Sequence, residues 1–219
     1  MISTEIGLSK HSASTIAHNA ALNPDKLQRA LSSNVDLVEV DLTVVEGRLV
    51  VAHDAYNFLK LSRPQKELQD PKSIFEMIGK ANKHPFLDLK DEIKDIDALN
   101  GIINTIRKDA NAIASSNNHK LLRALRDTGF LGKIFFSIGS TKVLKSFLDN
   151  NNNKNFQKEE SGVSIRWTLL KGNVPARLRS MGLLIATWNP QKAADITGTL
   201  ALGVDYVISD SFRLLDTIG

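Results

Sequence analysis

Short apolar runs rich in β-branched residues recur along the whole chain, and a longer stretch of helical spacing lies between each pair of them. The runs are TIAHNA (15–20), LVEVDLTV (37–44), FLDLK (86–90), NAIASS (111–116), KIFFSIG (133–139), GVSIRW (162–167), LLIATWN (183–189) and VDYVISD (204–210). The amphipathic stretches between them are 24–33, 71–82, 96–110, 119–129, 140–150, 173–182 and 190–203, and the tail SFRLLDTIG adds a short final helix. Asn23 before Pro24, Ser140 as an N-cap, and Gly129, Gly182 and Gly203 at the far ends punctuate them. Parallel strands need such crossovers, so eight strand-helix units predict an α/β chain closed as a (β/α)8 TIM barrel. An open, doubly wound sheet is the other topology this rhythm allows. At 219 residues the barrel is compact, and no Pro/Gly/Ser-rich linker divides the chain, so 1–219 reads as a single domain.

Two segments depart from the rhythm. GRLVVAHD (47–54) follows strand two after Val-Glu-Gly, which predicts a short β-hairpin arm, and 55–70, with Pro64, reads as a long loop. The Asn-rich run 149–160 is poor in apolar residues and reads as a mobile surface insertion.

The composition excludes several classes of function. There are no cysteines, hence no disulfide and no thiolate metal site, which suits a reducing compartment. The start MISTEIGLSKHSAS has no signal-peptide pattern and no segment approaches ~20 apolar residues, so a cytoplasmic protein without an integral membrane segment is expected. The net charge is +4 and the pI near 9.2, but the basic residues are scattered and only 6% of residues are aromatic. Nucleic acid is therefore not an expected partner. The oligomeric state is not legible.

The second strand carries the chemistry. Residues i and i+2 of a strand share a face, so Glu39 and Asp41 project together while Val38, Val40 and Leu42 project oppositely. In a barrel, inner residues near the C-terminal strand ends line the active-site mouth. Two carboxylates confined together repel each other and lose hydration unless something compensates. Strand three adds Asp88, with Lys90 on the same face. Three carboxylates from neighbouring strands suit one hard divalent ion, Mg²⁺ or Ca²⁺. The alternative is that they pair with Lys or Arg inside the barrel, or lie on the surface. His18 near the end of strand one and His53 at the end of the arm fall close to these acids, as a general acid-base pair would. His11, His84 and His119 read as surface residues.

AHN at 17–19, EVD at 39–41, the hairpin with HD at 53–54, LDLK at 87–90 and the ending ATWNPQKAADITGTLALGVDYVISD together resemble the glycerophosphodiester phosphodiesterase superfamily of (β/α)8 barrels. The resemblance implies His18 and His53 as the catalytic pair, Glu39, Asp41 and Asp88 as ligands of one divalent metal, and Lys90 as a phosphate contact. It places Trp188 near the family's substrate-facing tryptophan. Asn19 and Ala20 stand where the family continues with Arg-Gly, which makes Asn19 a substrate contact and Arg166 a candidate replacement for the missing arginine. The short run from His18 to Glu39 and the Asp-Leu-Lys of strand three resemble the sphingomyelinase D-like phospholipases of the same superfamily. The implied activity is metal-dependent cleavage of a glycerophosphodiester or lysophospholipid-like substrate. The nucleophile would be the substrate's neighbouring hydroxyl, giving a cyclic phosphate that water then opens. The alternative is an inactive barrel that binds a phosphorylated ligand or a protein partner.

Overall fold

A computed structural model describes residues 13–62, 65, 66, 69–150 and 161–216. Eight parallel strands close into a barrel: β1 (Ser14–Ala17), β2 (Leu37–Val45), β4 (His84–Leu89), β5 (Ile113–Ser116), β6 (Lys133–Ile138), β7 (Gly162–Arg166), β8 (Leu184–Trp188) and β9 (Tyr206–Ser209). Each pairs with the next in that order, and β9 and β2 both pair with β1 to complete the ring. The remaining strand, β3 (Arg48–Val51), lies antiparallel on β2 outside the ring.

The crossover helices are α1 (Pro24–Ser32), α3 (Pro71–Lys80), α4 (Asn100–Ile106), α5 (His119–Asp127), α6 (Thr141–Asn150), α7 (Val174–Ser180) and α8 (Ala193–Ala201), and α9 (Phe212–Leu215) follows β9. Their starts follow local chemistry. The Asn23 side chain accepts from Lys26 N ahead of Pro24, and that of Asp70 accepts from Ser73 N ahead of Pro71. Ser140 accepts from Val143 N in the same way at α6.

The closed barrel has two apolar cores. Ile16, Leu37, Phe86, Ile113, Phe135, Ala186 and Ile208 point inward and fill it. Val38, Val40, Leu42 and the alternate residues of the other strands point outward against the helices. Gly162 faces inward on β7, and a Cβ there would stand 2.9 Å from the Phe135 ring and 2.5 Å from the Leu184 carbonyl oxygen. Only glycine leaves that ring its place. Among the described residues, no helix is long and apolar enough to cross a membrane.

The hairpin arm turns on Glu46 and Gly47, both with positive φ (51° and 74°), between the paired Val45 and Arg48. Two such residues make the turn whose twist matches antiparallel strands. Three sequence expectations are revised. The 55–70 stretch is not a plain loop, because the Asp54 side chain accepts from Asn57 N and starts α2 (Ala55–Leu59). The helix expected over 96–110 is a 3-10 turn, Ile96–Leu99, followed by α4, which stops at Ile106 where Leu131 N takes the Arg107 carbonyl. His84 opens β4 rather than lying in a loop, and its Nδ1 is 2.9 Å from Asp109 Oδ2. His119 is half-buried, stacked at 3.8 Å on the Phe136 ring. His11 and the greater part of the 149–160 run lie outside the described residues.

Candidate active site

At the C-terminal end of the barrel the inward-facing positions change from apolar to polar. Register aligns Asp41, Asp88 and Ser115 across β2, β4 and β5, and Ser137 and Ser164 across β6 and β7. A cavity of about 430 Å³ opens above them. His18, Glu39, Asp41, Asp88 and Lys90 line it, as do His53, Asn19 and Trp188. Four strands and the arm thus bring eight of the nine sequence-selected residues to one mouth. The ninth, Arg166, is not among the lining residues. It is exposed at the end of β7 with its guanidinium 5.1 Å over the Trp188 ring, so it braces the tryptophan.

The carboxylates form a tight, uneven cluster. Asp41 is 1% exposed and Glu39 5%. The Lys90 ammonium forms ion pairs with Asp41 Oδ1 and Asp88 Oδ2, while Asp41 Oδ2 is buried without a hydrogen-bond partner. Glu39 instead accepts from the backbone N–H of Asn19 at 2.6 Å, an approach that uses the left-handed backbone of Asn19 (φ 49°). Burial, and then repulsion from Asp41 and Asp88, push the Glu39 carboxyl well above its ordinary range, more than the Asn19 N–H and Lys90 pull it back. Asp88 is also raised, by burial against the pull of Lys90. Burial opposes charge on Lys90, yet Asp88 and Asp41 hold it protonated well above an ordinary lysine. Pairing with a lysine inside the barrel, one of the two readings of these acids, is thus part of the arrangement.

The two histidines sit in different settings. His18 is mostly buried, its Nδ1 3.0 Å from Asp210 Oδ2 and its Nε2 3.8 Å from Glu39 Oε2. Asp210 is a hub: it also accepts from Asn189 Nδ2 at 2.8 Å and pairs with Lys26 Nζ at 2.5 Å. Burial alone would raise its carboxyl, but the hydrogen bonds from His18, Lys26 and Asn189 outweigh that and hold it far below the usual carboxylate range. His53 is 59% exposed at the rim, with Nδ1 3.4 Å from Asp54 Oδ2.

Sequence reasoning singled out neither Asp210 nor Lys26, nor the serines of β6 and β7. Parity would have found most of them: Asp210 shares the face of the inward-pointing Ile208, and Ser137 and Ser164 that of Phe135 and Gly162. Lys26 reaches Asp210 from α1, 184 residues away, and no local pattern announces that contact.

Among the described residues, no group of three or more His, Asp or Glu side chains stands arranged as a metal cage. The cation between Asp41 and Asp88 is the ammonium of Lys90. The donor set nonetheless fits a hard divalent ion: three buried or half-buried carboxyl groups face one cavity, and Asp41 keeps an orphaned oxygen that one lysine does not satisfy.

No protein-family model matches the chain. No curated protein matches it by sequence either. Solved structures do match. A glycerophosphodiester phosphodiesterase from Parabacteroides distasonis superposes with a TM-score of 0.74 at 17% identity, covering 95% of this chain and 97% of its own. One from Thermotoga maritima gives 0.71 at 16% identity, covering 95% and 98%. An Oleispira antarctica phosphodiesterase, solved with its product sn-glycerol-3-phosphate, gives 0.73 at 16% identity, covering 94% and 96%. The sphingomyelinase D-like spacing is a feature of the sequence and no part of this likeness. Over nearly its whole length, this chain has the barrel fold of the glycerophosphodiester phosphodiesterases.

Proposed function

We propose that the protein is a metal-dependent phosphodiesterase acting on glycerophosphodiesters or lysophospholipid-like molecules. The observation that carries this reading is the convergence of His18, His53, Lys90 and three carboxylates on one cavity at the barrel mouth. The fold shared with phosphodiesterases, one of them solved with sn-glycerol-3-phosphate, supports the substrate class.

Glu39, Asp41 and Asp88 would hold a divalent ion, Mg²⁺ or Ca²⁺, which would offset the charge that builds on the nonbridging oxygens of the phosphodiester. Lys90 adds a second positive charge at the same oxygens. Asp210 stays ionised through the neutral range and accepts a hydrogen bond from the Nδ1–H of His18, which leaves Nε2 as the proton acceptor facing the cavity. His18 therefore suits the base that deprotonates the substrate's neighbouring hydroxyl. His53, at the exposed rim, suits the acid that protonates the departing alcohol oxygen. The first product is a cyclic phosphate, which water opens. Trp188, braced by Arg166, and Asn19 line the walls against which the organic part of the substrate lies.

The test is incubation with Mg²⁺ or Ca²⁺ and a panel of glycerophosphodiesters and lysophospholipids, following alcohol release and the phosphorus NMR spectrum of the product. Turnover that requires the ion, and that falls by ~10²-fold or more in His18→Ala and in His53→Ala, is the expected result. Ligand binding without turnover across the panel would replace this reading with that of an inactive binding barrel.

A further inference from the structure

Lys90 stands where two roles meet. It is the first residue after β4, anchored by its backbone N–H on the Leu42 carbonyl at 3.0 Å, and a long flexible stem carries its charge. Its ammonium is shared between Asp41 and Asp88, the same carboxylates whose oxygens a divalent ion would use. The two demands compete, because an ammonium on one oxygen of each carboxylate and a divalent ion drawn to the same pair repel each other at close range with little water to screen them. There is also room for the ammonium to leave. A lobe of about 340 Å³ adjoins the main cavity and shares Lys90, Asp88 and His53 with it, and its outer wall carries Asp54, Asp91 and Glu92.

We infer that Lys90 is a two-position counter-ion: it neutralises Asp41 and Asp88 until a divalent ion takes their oxygens, and is thereby released into the cavity to meet the substrate's phosphate. The inference rests on the metal-binding part of the proposed function. It adds that loading the ion and arming the lysine are one event. Without the lysine, the buried Asp41 and the half-buried Asp88 would lack compensation before the ion arrives. With it, the ion must compete for its site, so the wild-type affinity is lower than the carboxylates alone would provide.

Two measurements test this, and neither reads turnover. In calorimetric titration with Mg²⁺ and with Ca²⁺, Lys90→Met is expected to bind the ion about tenfold or more tightly than the wild type. Equal or weaker binding by the variant, or no binding by either protein, overturns the inference. The second measurement uses the wild type alone and so does not depend on the folding of Lys90→Met. Reductive methylation read by mass spectrometry should find Lys90 protected without added ion and modified several-fold faster in saturating Mg²⁺ or Ca²⁺, with the surface lysines unchanged. A Lys90 rate indifferent to the ion overturns the inference equally. A protein that shows both effects but cleaves no phosphodiester would retain the lysine switch and lose the proposed function. Ion-dependent turnover without either effect would do the reverse.

Discussion

Glu39 is a buried carboxyl under repulsion from two neighbouring acids. Its carboxyl is raised by burial and by the neighbouring acids, so the folded protein holds its proton more tightly than the unfolded chain does. The stability this group contributes is therefore complete below the ordinary glutamate range and is lost as pH rises through the raised value. Glu39→Gln should accordingly be more stable than the wild type at mildly alkaline pH without added ion, by about 1–3 kcal/mol. The two should converge below about pH 4, where the carboxyl is protonated in both states. Thermal melts across pH check this, and saturating Mg²⁺ or Ca²⁺ should reverse the order. Asp210 has the opposite sign: its carboxyl is held low, so its contribution is present above the ordinary aspartate range and is lost only in strong acid. Asp210→Asn removes the negative charge that pairs with His18 and can turn an amide donor towards its Nδ1, and kcat should fall by roughly 10–100-fold with KM little changed, by analogy with partners that orient ligating histidines. A rise in KM with kcat unchanged would show that Asp210 does not act through His18.

The hairpin arm is the element that decides where the second histidine stands. Val-Glu-Gly announced its turn, and β3 pairs with β2 from Arg48 to Val51, which brings His53 back beside the acids that β2 carries. Gly47 has φ 74°, a conformation that a β-branched residue adopts only with strain. Gly47→Val should cost about 1–2 kcal/mol by denaturant midpoint and depress turnover beyond what that loss explains, since it misplaces His53. The helix caps were legible for a similar reason, because Asn23 and Ser140 act on backbone groups three residues away. Two features were not. The end of α4 depends on a hydrogen bond from Leu131 to Arg107, and the position of the Arg166 guanidinium depends on the Trp188 ring of the neighbouring strand. Such contacts join residues that no window of sequence holds together.

In the whole molecule, closing the ring converts alternate residues of eight strands into a filled interior below and a polar mouth above. Gly162 shows how closely the two are tied: Gly162→Ala should cost about 1–3 kcal/mol in urea unfolding, because the Phe135 ring and a backbone carbonyl already occupy the space. Binding of the divalent ion should raise stability by mass action, about 2.7 kcal/mol at a hundred times Kd, visible as a concentration-dependent melting temperature. The sequence by itself determined the rhythm of strands and helices, the hairpin, and which acids and histidines share a face, because periodicity and turn chemistry are local. Only the tertiary structure decided that Lys90 would lie on Asp41 and Asp88, that Asp210 and Lys26 would orient His18, and that Arg166 would stay outside the cavity. Each of these is an electrostatic choice among groups far apart in the chain, and it is made only when the barrel closes and brings them within a few ångströms of each other.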